Sequence, residues 1–416
     1  LPALNFKNKK LLEEFMREKV LKTAIFMVFV LVYLGCKQSL QVENPNQIID
    51  ENLNQSTAIG PMITGVAADF AFEYQWTIIC SGLLSNELIH IGSFPTFKEM
   101  ADGQVQDNNT TMEDWYGYVQ RARWVAENAA ERIKQIVGVD SAKKMIEYAM
   151  AHIYAGYALI HLADMWNGSP IDGGPLLPRD SIYNRAINHF TEVISIVDNL
   201  PAGRTFKNGH QTLNKDQVKA IAYLGRARAK LFKGDLAGAY NDVANPALFT
   251  GLRFDAVYSE NTSRENNLVY IYAYDRPEVA VGPRHQITDD PQRVPVQPPT
   301  AGRPYWRQAK YTSRASDIAI AKWQEAALIR AEYYLSQNNT TAALAEINSI
   351  RSAAGLTPVA TVDVNTLREE RKREFFLEGM YLQDLRRFND PFLTGRMAFF
   401  PLGRREKDTN PNLGGK

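Results

Sequence analysis

Cysteine is scarce in this chain: only Cys36 and Cys80 occur among 416 residues. A disulfide-framed fold and a cysteine-rich metal site are thereby excluded. Net charge is scarce too. Lys+Arg number 47 against 46 Asp+Glu, a formal balance of +1, so no general electrostatic affinity for nucleic acid is expected. The histidines, His90, His152, His161, His189, His210 and His285, form no HExxH or other metal-ligating spacing. No GxSxG is present, and GRARAK (Gly225 to Lys230) lacks the Gly-Lys-Ser/Thr ending that cradles phosphate. Asp102 and Asp107 miss the calcium-loop pattern of alternating acids followed by glycine. A glycosidase needs two carboxylates about 5 to 9.5 Å apart, a separation that no sequence displays. The residues call for no metal and no cofactor, and a glycan-cleaving pair of carboxylates stays an open, unsupported reading.

Long apolar runs are absent as well, with one exception. Ala24 to Leu34, inside TAIFMVFVLVYLGCKQ, is too short to span a bilayer, which takes about 20 apolar residues. It reads as the hydrophobic region of an export signal, with Arg17, Lys19 and Lys22 as its positive flank and Met16 at the initiator position. Leu1 to Phe15 are then expected to be upstream sequence or a misassigned start. The ending Tyr33-Leu34-Gly35-Cys36 resembles a bacterial lipobox, with Tyr33 in place of the usual Leu. Cys36 is then the lipid-modified mature N-terminus, and acyl chains, at about 0.8 kcal/mol per buried methylene, anchor the protein without a spanning helix. The expected organisation is a leader over 1–35 and one domain over 36–416. Cys80, left without a partner, reads as a small buried residue.

The body is mainly α. Met112 to Trp166 returns apolar and small residues every three or four positions, a helical hairpin closed at Gly138 and restarted by Asp140 or Ser141. Another helix is expected over Ile182 to Asn199, stopped by Pro201. In KDQVKAIAYLGRARAKLFKGDLAGAYNDVANP, Tyr223, Ala227, Gly234, Leu236, Ala239 and Val243 fall at tetratricopeptide spacing. A second copy, KWQEAALIRAEYYLSQNNTTAALAEINSIRSAAG, turns at Gln337 to Thr340 between Tyr333 and Ala342. Tetratricopeptide-like hairpins stacked into an α-superhelical platform are the expected fold. Two segments stand outside the periodicity, 74–109 and the proline-dense 281–307, and both carry aromatics. Long loops in a compact protein are usually functional or disordered, and clustered aromatics argue against disorder. Trp115, Trp124, Trp166 and Trp323 lie at helical positions and are assigned to the core. Glu369, Glu370, Glu374 and Glu378 alternate with Arg368, Arg371, Lys372 and Arg373 at ion-pair spacing.

Three further stretches resemble the SusD/RagB family of lipid-anchored nutrient binders. EERKREFFLEGMYLQDLRRF is similar to its C-terminal signature through Glu370-Arg371, Arg373-Glu374, Glu378-Gly379 and Asp384-Leu385-Arg386-Arg387, with Tyr381 where a basic residue is common. FFPLGRREKDTNPNL matches the closing segment at Pro401, Glu406, Asn410 and Pro411, and VENPNQI matches the opening at Asn44, Pro45 and Asn46. The resemblance implies a binder rather than an enzyme. It also implies a helical platform carrying a ligand face, tethered to the outer membrane, facing the cell surface, and closing as a lid over a SusC-like TonB-dependent barrel. The ligand implied is an oligosaccharide, or a peptide; a tetratricopeptide scaffold lipoprotein that binds other proteins is the alternative.

Sugar C–H faces stack on aromatic rings, while amides and carboxylates take the hydroxyls. The expected platforms are Tyr74 and Trp76, Phe94 and Phe97, and Tyr305 with Trp306; Asn86 and Glu87 are the expected hydroxyl partners. The two segments are expected to meet, with Trp76 and Trp306 sharing one exposed apolar surface. Asp384 and Arg387 are expected to knit helices, and Asn410-Pro411 to fix the tail.

Overall fold

The computed structural model describes residues 9, 13–23, 26–27 and 50–413. The lipobox, Cys36 and Asn44-Pro45-Asn46 lie outside the described residues. The chain divides into two compact units, Leu1–Leu53 and Asn54–Lys416. In the first, residues 13–23 are helical. Among the described residues no helix is long and apolar enough to cross a membrane.

The second unit is a succession of helices, each packed on the next. They are α1 (Ile59–Ser85), α2 (Pro95–Asp102), α3 (Thr110–Val137), α4 (Ile146–Met165), α5 (Arg179–Asp198), α6 (Lys215–Lys233), α7 (Leu236–Val243), α8 (Trp323–Ser336) and α9 (Thr340–Ala353). α1 packs on α3, α3 on α4, α4 on α5, α5 on α6, α6 on α7, and α7 on the α8/α9 hairpin. This is the stacked-hairpin platform that the spacing predicts. The helix boundaries follow local chemistry. Asn109 accepts from the Met112 N–H to start α3, Gly138 ends it with φ +82°, and Gly234 ends α6 with φ +96°. Asp140 and Ser141 fall instead in a one-turn helix, Val139–Ala142, so α4 begins later than the sequence implies. Ala227 and Ala239 are fully enclosed where the hairpin helices meet.

Small residues also set the α4–α5–α6 spacing. Phe190 of α5 wedges between Gly156 of α4 and Gly225 of α6: a β-carbon at Gly156 would stand 2.6 Å from the ring, and one at Gly225 closer still. Alanine in place of a mid-helix glycine normally gains about 1 kcal/mol of helix propensity. Here overpacking, at about 1–3 kcal/mol or more, exceeds that gain. Gly225→Ala is therefore expected to lower the unfolding midpoint in urea. A raised midpoint would show that Phe190 has room to move.

α1 corrects the reading of 74–109 as irregular: the helix continues unbroken to Ser85, and α2 occupies Pro95–Asp102. Nearly every side chain from Phe70 to Ser85 is buried, polar ones included. The 281–307 segment contains only short pieces. β1 (Leu88–His90) pairs antiparallel with β5 (Val279–Val281), and β6 (Val296–Gln297) with β7 (Arg307–Gln308). The remaining pairs are the hairpin β2 (Thr205–Asn208) with β3 (Gln211–Asn214), and β4 (Arg253–Ala256) with β8 (Ile318–Lys322).

The C-terminal motif is a knot of buried charge. It runs through α10 (Val364–Glu374) and α11 (Tyr381–Arg387). Arg371 donates to both Asp384 oxygens at 2.9 Å, and Arg387 ties Asp384 to Glu332 of α8. Glu378 lies past the end of α10 and takes Lys310 and Lys322 at 2.6 and 2.8 Å. These acids thus pair across elements, not only along one helix. Asn410 donates to the Gly174 carbonyl at 3.0 Å, fastening the tail. Trp115 and Trp166 pack at 4.5 Å with Phe400 as a third ring. Trp124 does not join them: it is 51% exposed, and Trp323 is half-buried.

Candidate functional site

Four of the eight expected ligand residues have structural work. Tyr74 is 1% exposed, and its hydroxyl donates to the carbonyls of Ala319 and Glu378 at 2.8 and 3.0 Å. Glu87, also 1% exposed, accepts from the Leu377 N–H at 2.8 Å. Burial pushes its carboxyl up to about 8, against the Leu377 N–H and the Lys310 charge that pull it down. Both residues hold the turn before Gly379, in which Leu377 adopts φ +53°; neither is available to a ligand. Phe97 is buried as well, serving as a backing ring. Asn86 is half-buried and terminates α1 in the left-handed conformation (φ +60°) that asparagine tolerates. Its carbonyl lies hard against Gly282, where a β-carbon has no room.

The remaining aromatics do assemble, in a different set. Phe72 and Trp76, one turn apart on α1, present half-buried rings beside Tyr118 of α3. Trp76 meets Tyr272 at 6.0 Å, and Tyr272 meets Phe94 at 6.0 Å and Phe97 at 5.5 Å. The result is a strip running Phe72, Tyr118, Trp76, Tyr272, Phe94, with mostly tilted and edge-to-face contacts that aromatic pairs prefer. An arginine stands over each end: Arg264 is 4.4 Å from the Phe72 ring centre and Arg276 is 4.2 Å from that of Phe94. Both arginines are exposed. Arg276 pairs with Glu278, which accepts from the Ser93 and Phe94 N–H groups at 2.7 and 3.2 Å. Burial alone would raise the Glu278 carboxyl; those backbone donors hold it below its ordinary range.

Tyr305 and Trp306 are half-buried at the β6–β7 hairpin. Their segment does approach the strip through the backbone, since Val281 of β5 donates to the Trp306 carbonyl at 2.9 Å. Among the described residues, however, Trp306 makes no ring contact with Trp76, so the shared Trp76–Trp306 surface is replaced by Trp76–Tyr272. Phe72, Tyr118 and Tyr272 escaped the sequence reading. VYIYAYD, with Tyr270, Tyr272 and Tyr274 at alternate positions, was the available signal.

Among the described residues no cluster of His, Cys, Asp and Glu is fit to hold a metal. Cys80 is buried and free, and burial pushes its thiol well up. The chemistry on offer is a broad apolar surface with charged and hydrogen-bonding margins.

Comparison with known proteins follows the same line. Residues 309–412 match the SusD family. No curated protein matches the chain. A SusD superfamily protein from Bacteroides vulgatus superposes with a TM-score of 0.69 at 13% identity, covering 87% of this chain and 99% of that one. A laminarin-binding SusD-like protein gives 0.68 at 11% identity over 86% and 98%. Surface glycan-binding protein A from Bacteroides uniformis gives 0.66 at 14% over 86% and 99%. Residues 309–412 are thus similar to the SusD family, and the chain has the fold of these SusD-like structures.

Proposed function

We propose that the protein captures an oligosaccharide at the cell surface and passes it to a TonB-dependent outer-membrane transporter. The observation that carries this reading is the strip Phe72–Tyr118–Trp76–Tyr272–Phe94, five half-buried rings from four separate stretches of chain. A core has no use for rings left half in water, whereas pyranose faces do. The laminarin-binding and surface glycan-binding proteins of the same fold support the ligand class. The role is binding: Glu278, the acid beside the strip, is committed to Ser93, Phe94 and Arg276. In this reading residues 1–35 are a leader, residues 36–416 form one domain, and Cys36 carries the lipid that keeps the binder beside its transporter. Tyr305 and Trp306 are secondary contacts on the neighbouring hairpin.

The test is a glycan array followed by calorimetry on the best ligand, with laminarin included as a probe. Tyr272→Ala and Phe94→Ala are each expected to weaken binding about 10- to 100-fold, or roughly 1.4–2.7 kcal/mol, with little change in the unfolding midpoint. Unaltered affinity in both variants, or no glycan bound by the wild type, would remove the strip from the function.

A further inference from the structure

The strip does not end in open solvent. Beyond Phe72, α1 carries Thr64, Ala67, Ala68 and Ala71, and opposite them stand the β2–β3 turn and the loop after β4. Between these lies a cavity of about 470 Å³, within the ~300–1,000 Å³ typical of small-molecule sites. Its floor is apolar, made by alanines and the Phe72 ring. The inner wall is closed by Tyr154 and Tyr258, whose hydroxyls are taken up by Asn208 and by the Ala71 carbonyl. The mouth is polar and locally braced. Glu265 accepts from Ser259, Thr262 and Asn261, and Asn266 donates to the carbonyls of Ser259 and Thr262 at 2.9 and 3.0 Å. Those hydroxyl and amide donors hold the Glu265 carboxyl below its usual range, so a charged acceptor stands at the rim. Arg264 joins the two features: it lines the cavity, covers the Phe72 face of the strip, and is held by Asp69 at 2.6 Å.

We infer that this cavity is a second subsite, taking one terminal or branching sugar of the glycan that lies along the strip. The inference rests on the glycan reading of the strip and adds to it a preference for chain ends or branches. An apolar floor under a rim of carboxylate, hydroxyl and amide groups matches the two sides of a sugar ring. The closed inner wall gives a linear chain no passage through, so what enters is an end. Phe72, shared by cavity and strip, sets the next sugar against the first ring of the platform.

Ligand-observed NMR on the full chain tests this, with glucose, galactose, mannose, xylose and galacturonic acid each at tens of millimolar. At least one is expected to give saturation transfer that survives Tyr272→Ala, which impairs the strip, and disappears in Ala68→Trp, which fills the cavity from an exposed wall position. Thr64→Phe, one turn earlier and also exposed, should do the same if Ala68→Trp folds poorly. In both filled variants the affinity for a bound oligosaccharide should fall about tenfold. Absence of any monosaccharide signal, or a signal indifferent to both filling variants, overturns the subsite even where oligosaccharides still bind the strip. If the wild type binds no oligosaccharide, yet a monosaccharide signal is lost on filling, the cavity stands as a sugar site and the strip reading falls alone.

Discussion

Glu325→Ala is expected to lower the unfolding free energy by about 3–5 kcal/mol, the usual result of removing one partner from a buried ion pair. Arg228 of α6 donates through Nε and a terminal nitrogen to the two Glu325 oxygens of α8, both at 2.6 Å, and the same terminal nitrogen reaches the Ile320 carbonyl at 2.6 Å. Both side chains are almost wholly enclosed, and the Tyr157 ring of α4 lies 5.0 Å from the guanidinium. Burial pulls the guanidinium down, and the Glu325 charge more than restores it. With the carboxylate gone, the cation has neither counter-charge nor water. Replacing both residues together, Arg228→Met with Glu325→Leu, should recover most of the loss, because volume is kept and no charge is buried. Chemical denaturation of the three variants would decide it; a loss below about 1 kcal/mol for Glu325→Ala would mean that water reaches Arg228.

A second large effect depends on pH. Unfolded, Glu87 loses its proton near 4.5; folded, it keeps it until about 8. The folded state therefore binds the extra proton between those values. The stability this group contributes is fully present below about pH 4.5 and is lost as pH rises through 8. Glu87→Gln retains an oxygen for the Leu377 N–H and carries no charge to bury. Wild type and variant should be nearly equal at pH 5, and the variant should be more stable by on the order of 3–5 kcal/mol at pH 8. Comparing the two at each pH removes the opposing contributions of carboxylates held low, such as Glu378 and Glu278. A difference that does not change between pH 5 and 8 would place water at Glu87.

The helical platform was legible because its outer helices are amphipathic: Trp115, Val119, Ala122, Ala126, Ala129 and Ile133 form one buried stripe on α3. That stripe also explains the error at Trp124, which sits off it and faces outward. α1 was misread for the opposite reason. From Phe70 to Ser85 it is buried on nearly every face, so Glu73, Gln75, Thr77 and Ser81 are as buried as Ile78 and Ile79, and no periodicity survives there. The C-terminal motif was readable as scaffold, since Asp384, Arg387 and Asn410 make the ties expected of them. The ligand strip was only half readable. Trp76 and Phe94 announce themselves as aromatics, but nothing local distinguishes them from Tyr74 and Phe97, which are core. Their separation depends on Tyr272, nearly 200 positions away, and on whether a distant backbone carbonyl claims a hydroxyl.

The clasp around Leu377 also governs when this molecule becomes a molecule. Tyr74 reaches the Glu378 carbonyl across 304 positions, Glu87 reaches the Leu377 N–H across 290, and Tyr311 reaches the Leu377 carbonyl across 66. Contacts of such separation require much of the chain to be ordered first, which slows folding. A chain emerging from its N-terminus makes α1 early and completes its surroundings last. Until the turn before Gly379 arrives, Glu87 lacks its Leu377 partner and Tyr74 has only the Ala319 carbonyl. A C-terminal truncation ahead of Leu377 therefore removes a tie of the first long helix, Tyr74 to Glu378, and the Glu87 tie just past it, along with the last turn.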